Sequence, residues 1–436
     1  MDVKRILHAS IKEFSDSTTI LTEQMYFDII IIGGGASGMC AAISAKTDNN
    51  SVLIIDKDTR PGRKILATGN GKCNLTNSYC EVPLFYKNPE GIYPYFSEGD
   101  KSFIENVINT FNWKDTLEFF EELGIFTLNK NSYIYPRPEQ ASAVLEGLEY
   151  KIREEKIETA AGYAPKRIKK TGGFFRIDNR YESKYLVLAS GGLSSPKNDA
   201  DGFGYAAAES FGHSIVRPRP ALCGIPCKGK IFKTISGVRQ DGLLSVYDRN
   251  HKLIIKCYGN IQFTDYGISG IPAFQISSCI GKMLEEGRQP VIEIDMFPGL
   301  SAQKTAEIIK RRSENHLLGM VNSKLAGGFE KAALDEGLKP GTDAYINRLS
   351  RLVHCFKVTA QAMPSFKNSQ VTAGGVSTSE INARSMESKK TRDLYVIGEL
   401  LDVNGICGGY NLQWAWSTGY ICGSALKRKY DKNNIS

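Results

Sequence analysis

Six residues near the start of the chain, Gly33-Gly34-Gly35-Ala36-Ser37-Gly38, have the spacing GxGxxG, and their types suit the close approach of a backbone to a pyrophosphate. Gly33 permits a tight turn. Gly35 leaves room for phosphate oxygens. Gly38 lets a following helix sit close to the preceding strand, so that the phosphates rest at the positive end of that helix. Asp56 falls about 20 residues on, where an acid accepts hydrogen bonds from ribose hydroxyls, and Lys57 stands beside it. Glycine-rich turns are common, so the spacing alone is a weak signal. The elements around it make it specific. Phe27–Ile32 is a β-branched run suited to a strand buried on both faces, Met39–Lys46 is small and apolar as a closely packed helix must be, and Ser51–Asp56 is a second strand ending in the acid. Strand, turn, helix, strand and acid in that order predict a dinucleotide site, without separating FAD from NAD.

Further segments extend the site. Gly62–Asn77 (GRKILATGNGKCNLTN) is too rich in Gly, Asn and Thr for a helix or a central strand. It carries the cations Arg63 and Lys64 together with Gly71, and it reads as a loop that wraps a phosphate and an isoalloxazine ring. Tyr185–Ser190 is a strand that ends at Gly191-Gly192, small enough to pass the pyrophosphate, with a helix from about Tyr205. Near the other end, Leu394–Ile397 is a strand followed by Gly398-Glu399, and Gly408–Gln413 opens a helix over Trp414–Leu426. Glu399 is placed to hold ribityl hydroxyls. The helix start near Asn411 offers free N–H groups and a positive partial charge to the reduced flavin.

These strings, with SGG–SSP, FTDYGISGIP (Phe263–Pro272), TAGGVST (Thr372–Thr378) and IGELLDVNGICGGYNLQWAWSTG (Ile397–Gly419), resemble the BaiN/YhiN-like bacterial NAD(P)/FAD-dependent oxidoreductases of the glutathione-reductase-like FAD superfamily. The resemblance runs from about Tyr26 to Leu426. It implies non-covalent FAD with contacts at Ala36 and Ser37, Asp56, Arg63 and Lys64, Asn74, Glu399, Asn411 and Leu412. Asn260 and Asp265 depart from it, standing where Glu and His are expected in many relatives.

The fold expected is α/β: a Rossmann-type FAD-binding domain formed by both chain ends, with an inserted β-barrel-like plus helical domain. The boundaries expected are a polar extension over 1–25, the FAD domain over 26–211 and 359–428, the insert over 212–358 and a polar tail over 429–436. The insert is read from strand-like runs such as Gly242–Tyr247 and Lys252–Cys257, followed by helical spacing over Ser301–Leu338. A substrate cleft is expected where the insert faces the flavin.

The chain offers few separate catalysts. Flavin supplies hydride chemistry, and the protein places the reacting carbon and excludes competitors. His354 lies among apolar residues and His213 follows a helix, so both read as structural. Cys73 lies in the glycine-rich loop but has no resolving partner, and with no CxxC a thiol-disulfide reductase is disfavoured. Tyr266 and Asp265 are candidate substrate-side groups. There is no second strand–GxGxxG–helix unit, so NAD(P)H is expected to dock transiently over the flavin. The leading function is a reductase that passes hydride from NAD(P)H to an organic acceptor, with a conjugated enone such as a steroid or bile-acid ketone suggested by the resemblance. The alternatives are an oxidase or dehydrogenase of a small amine or hydroxy compound, an RNA-acting flavoprotein and a non-catalytic flavin sensor.

Totals narrow the classes. A chain of 436 residues with 42% hydrophobic and 23% charged residues is an ordinary globular protein. A formal charge of +8, dispersed along the chain, gives no nucleic-acid tail. Ten cysteines without metal-ligand spacing suggest reduced thiols in a cytoplasmic protein and no metal site. Phe27–Ala45 is apolar, but Asp28 and three consecutive glycines make it strand, turn and helix rather than a membrane span. A small-molecule substrate is expected, with neither nucleic acid nor membrane as partner.

Overall fold

The computed structural model describes residues 24–80, 95–99, 101–194 and 201–434. The expected extension up to residue 23, and part of the segment after SGG, lie outside them. The strands Met25–Ile32 (β1), Val52–Asp56 (β2) and Tyr181–Leu188 (β3) form the centre of a parallel sheet in the order β2-β1-β3. Leu394–Val396, from the other end of the chain, adds to β3 in parallel, and Glu158–Ala161 adds to β2. Ile29, Ile30 and Ile31 are fully buried, which a parallel strand covered on both faces requires. Register aligns the strand ends: Ile32 stands opposite both Ile55 and Leu188, so Gly33, Asp56 and Ala189 emerge at one edge. Both chain ends therefore build one Rossmann-type sheet, as the sequence leads one to expect.

Helix α1 spans Ala36–Ala45, and the C-terminal helix spans Tyr410–Asn434, starting earlier and ending later than its apolar part suggested. The two pack very closely: a Cβ on Gly423 would lie 2.5 Å from Ala41 O. The indole N–H groups of Trp414 and Trp416 donate to Gly398 O (3.1 Å) and Leu75 O (3.0 Å), tying this helix to two segments of the site. The Gly62–Asn77 stretch departs from its expected character. Arg63–Ala67 is a short helix, α2, preceded by Gly62 at φ +81°. Five good helix formers (RKILA) fold locally, and the glycines bracket them.

Residues 225–359 carry a second, antiparallel sheet in the order 225–226, 267–269, 253–264, 239–247, 291–295, 356–359. A bridge between Cys227 and Ala360, with Lys228 N–H donating to Thr359 O (2.9 Å), joins its first and last strands into a barrel. The helices Ala302–Lys310, Ser323–Asp335 and Asp343–His354 share its core, in which Phe263 and Phe329 each pack on Phe356. That core is separate from the one around the parallel sheet.

Candidate functional site

A cleft opens where the parallel strands end. At its floor the three motif glycines do three different things. Gly33 has φ +109°, and a Cβ there would lie 2.4 Å from Ala189 O; on Gly38 it would lie 1.9 Å from Gly33 O. Neither position admits a side chain. A Cβ on Gly35 would meet nothing within 4 Å, because this glycine faces the cleft and precedes the first turn of α1. That turn holds no acidic side chain, and its N–H groups at Ala36 and Ser37 line the cleft, an arrangement suited to a pyrophosphate. Gly38 itself is a packing position behind the cleft wall.

Asp56 accepts from Gly34 N–H through Oδ2 (2.6 Å) and from Asp58 N–H through Oδ1 (2.8 Å). It lines the cleft with Lys57, and burial raises its carboxyl above the usual range against these two bonds. Its first task is thus to brace the glycine turn, with lone pairs left for a ribose.

The opposite wall comes from α2 and the far end of the chain. Arg63 lines the cleft 3.8 Å from Asp58, and Lys64 reaches across to form an ion pair with Glu399 Oε2. Glu399 Oε1 accepts Thr372 N–H (2.8 Å). Thr372 Oγ1 in turn accepts the N–H groups of Leu193 (2.8 Å) and Ser194 (2.9 Å), just after Gly191, which has φ +73° and lines the cleft. Thr372 is therefore a junction of three segments. The TAGGVST string holds the signal for it.

Leu412 and Asn411 line the cleft at the start of the C-terminal helix. The Asn411 amide does not extend toward a ring, however: Oδ1 accepts Gly405 N–H (2.8 Å) and Nδ2 donates to Gly405 O (2.9 Å), so it fixes the elbow before the helix. Gly71 and Asn74 lie off the cleft. Asn74 is buried, and its Oδ1 has no partner among the described residues. Cys73 is also buried away from the cleft, its thiol pushed up to about 12 by burial.

The two histidines are satisfied. His213 bonds Glu380 (3.0 Å) and Ser388 (2.8 Å), and His354 bonds Asp295 (3.0 Å) and Thr305 (2.7 Å). Asp265 and Tyr266 are exposed on the barrel, and Asn260 donates to Asp241 (2.9 Å). One further buried carboxyl, Asp402, is pushed up to about 6 by burial although it accepts Glu98 N–H (2.7 Å) and the Ser97 hydroxyl (3.2 Å). Among the described residues no three His, Cys, Asp or Glu side chains gather as metal ligands, and no helix is long and apolar enough to cross a membrane.

The family model described as the HI0933-like protein Rossmann domain matches residues 27–425. A 3-dehydro-bile acid delta(4,6)-reductase from Clostridium scindens is 38% identical over 92% of this chain and 98% of its own length. Ribosomal RNA dihydrouridine synthases from Escherichia coli and Haemophilus influenzae are each 29% identical, over 92% and 93% of this chain and 98% and 99% of theirs.

Proposed function

We propose, because this chain belongs to the HI0933-like Rossmann family and is an FAD-dependent oxidoreductase, that it reduces a carbon–carbon double bond conjugated with a carbonyl in a small ring-bearing molecule, with NAD(P)H as the source of hydride. The observation that carries this reading is the 38% identity, over nearly the full length of both chains, to a 3-dehydro-bile acid delta(4,6)-reductase. The bound flavin supplies hydride chemistry. The protein's own residues hold and orient it: the N–H groups at Ala36 and Ser37 take the pyrophosphate, Asp56 a ribose, and Lys64, Glu399 and the start of the C-terminal helix the ribityl–pyrimidine end. With no second GxGxxG unit in the chain, the nicotinamide docks transiently.

A second reading keeps the reaction and changes the substrate. In uracil the 5,6 double bond is conjugated with a carbonyl, as the double bonds of a 3-oxo bile acid are, and two relatives are named for making dihydrouridine. The test offers the purified protein NADH or NADPH with a steroid enone, its saturated analogue or ribosomal RNA, and analyses the products by mass. Reduction of the enone and not of the saturated ketone is expected. Reduction of RNA alone moves the substrate to the second reading. Heat release of FMN, or of no flavin after reconstitution, removes both.

A further inference from the structure

Resting on the hydride source named in that reading, we infer that a basic pocket beside the cofactor cleft binds the ribose phosphate that NADPH carries and NADH lacks.

The pocket, about 550 Å³, is formed by the loop that follows Glu158–Ala161 and by the antiparallel strands Ile168–Thr171 and Phe174–Ile177. Four cations line it: Lys166, Arg167, Lys169 and Arg176. Lys169 stands directly across the strand pair from Arg176, so the sheet sets two like charges side by side. Such a pair costs stability until an anion lies against it. The carboxylates nearby are already engaged. Asp178, in the pocket, accepts the backbone N–H groups of Lys166 (2.9 Å) and Arg167 (2.7 Å) and the Tyr163 hydroxyl (2.7 Å), and so shapes the loop. Glu182 pairs with Arg176 (2.7 Å). The side chains of Lys166, Arg167 and Lys169 are exposed, and among the described residues no carboxylate pairs with them. Four cations against these two carboxylates leave two positive charges, the complement of a phosphate monoester near its dianionic form. Arg167 adds a planar fork of donors suited to two phosphate oxygens at once.

The position of the pocket points to a nucleotide. Ala164 lines both the pocket and the cofactor cleft, and Pro165 lines the cleft. The same loop is fastened to the strand end that carries Asp56: Gly162 N–H donates to Asp58 O (2.9 Å) and Tyr163 N–H to Asp56 O (3.0 Å). The basic pocket therefore adjoins the part of the cleft that the proposed reading gives to the adenosine ribose of FAD. NADPH, like FAD, carries an adenosine at one end and its reacting ring at the other. With the two adenosine ends side by side, the two reacting rings fall toward the same far end of the cleft.

The test uses the FAD-loaded protein, with adenosine 2′,5′-bisphosphate, ADP and inorganic phosphate as probes in calorimetry. The bisphosphate should bind about tenfold to a hundredfold more tightly than ADP, the value of a charge-assisted bond to the extra phosphate. Arg167→Ala and Lys169→Ala, both at exposed positions, should each remove most of that difference and leave FAD affinity unchanged. Stopped-flow reduction of the flavin should show the matching preference, a lower half-saturating concentration for NADPH than for NADH, and the two variants should lose it. Equal binding of the bisphosphate and ADP overturns the inference. So does inorganic phosphate that binds as tightly as the bisphosphate, which makes the pocket a site for the free ion. Reduction by NADH and NADPH at the same half-saturating concentration also overturns it and leaves the proposed function standing. A flavin that neither nucleotide reduces overturns the hydride source of the proposed function as well.

Discussion

At the cofactor cleft the surface offered to a ligand is mostly backbone: Gly35 with open space before it, the first N–H groups of α1, and the turn at Gly191. Side chains there work largely on other backbone, Asp56 on Gly34 and Asn411 on Gly405. At the barrel, exposed side chains such as Asp265 and Tyr266 make the surface, while Leu222 lies buried in a small apolar cluster with Ala221, Val371 and Ala373. A backbone-built site restricts residue types to glycine at set spacings, because a Cβ would occupy the ligand's place or collide with the chain. A wall of side chains tolerates exchange among residues of similar size. Backbone-built and side-chain-built surfaces are therefore recorded in the chain in different ways.

Two glycine variants test the backbone half most severely. Gly38→Val forces a branched side chain into Gly33 O, and it should cost about 4 kcal/mol or more in the unfolding of the cofactor-free protein, with FAD binding lost as a consequence. At Gly35 a Cβ meets no protein atom within 4 Å, so the cofactor-free Gly35→Val protein should keep its stability within about 1 kcal/mol. Its FAD affinity should still fall a hundredfold or more, about 2.7 kcal/mol. If both variants unfold alike, or Gly35→Val binds FAD normally, the cleft is not built from backbone in the way described.

Glu399→Gln tests the main exception, a side chain that holds the far wall. It removes the ion pair with Lys64 while keeping an acceptor for Thr372 N–H. FAD titration should show affinity ten- to a hundredfold weaker, about 1.5–3 kcal/mol for a charge-assisted bond. Unchanged affinity would mean that this end of the chain does not hold the cofactor.

Asp402, bonded to Ser97 and Glu98, carries a pH effect. Its carboxyl is raised from 3.8 to about 6, so the folded protein binds more protons than the unfolded chain across that interval, and stability falls as pH rises from about 4 to 6. Asp402→Asn should abolish that slope and be more stable at pH 8 by on the order of 2 kcal/mol, measured by denaturant unfolding at several pH values. The smallest effect is expected at Cys73. With its thiol buried and pushed up to about 12, Cys73→Ala should leave the rate of flavin reduction by NAD(P)H within about twofold of wild type.

Legibility follows the same division. β1, the turn and α1 could be read from residues 27–46 because they are local and each glycine has a steric reason. The strand at 394–396 could be read because a short apolar run ends there in Gly-Glu. The helix at Arg63–Ala67 was hidden by the glycines and asparagines around it, whose signal dominates a window wider than five residues. The clamp that Asn411 makes on Gly405 leaves no local signal, since that pairing depends on how the elbow folds. Barrel closure rests on pairing around Cys227 and Ala360, more than a hundred residues apart, and local pattern carries no trace of it.

One half-reaction tests hydride delivery to a conjugated ketone most directly. The purified protein is loaded with FAD, reduced without oxygen, and mixed in a stopped-flow instrument with 4-androstene-3,17-dione or with its saturated counterpart. Flavin absorbance should return with a rate that saturates in the concentration of the conjugated ketone, and the saturated ketone should leave the flavin reduced. Reoxidation by oxygen alone, with both ketones inert, would contradict the claim that this cleft delivers hydride to a double bond conjugated with a carbonyl in a small molecule.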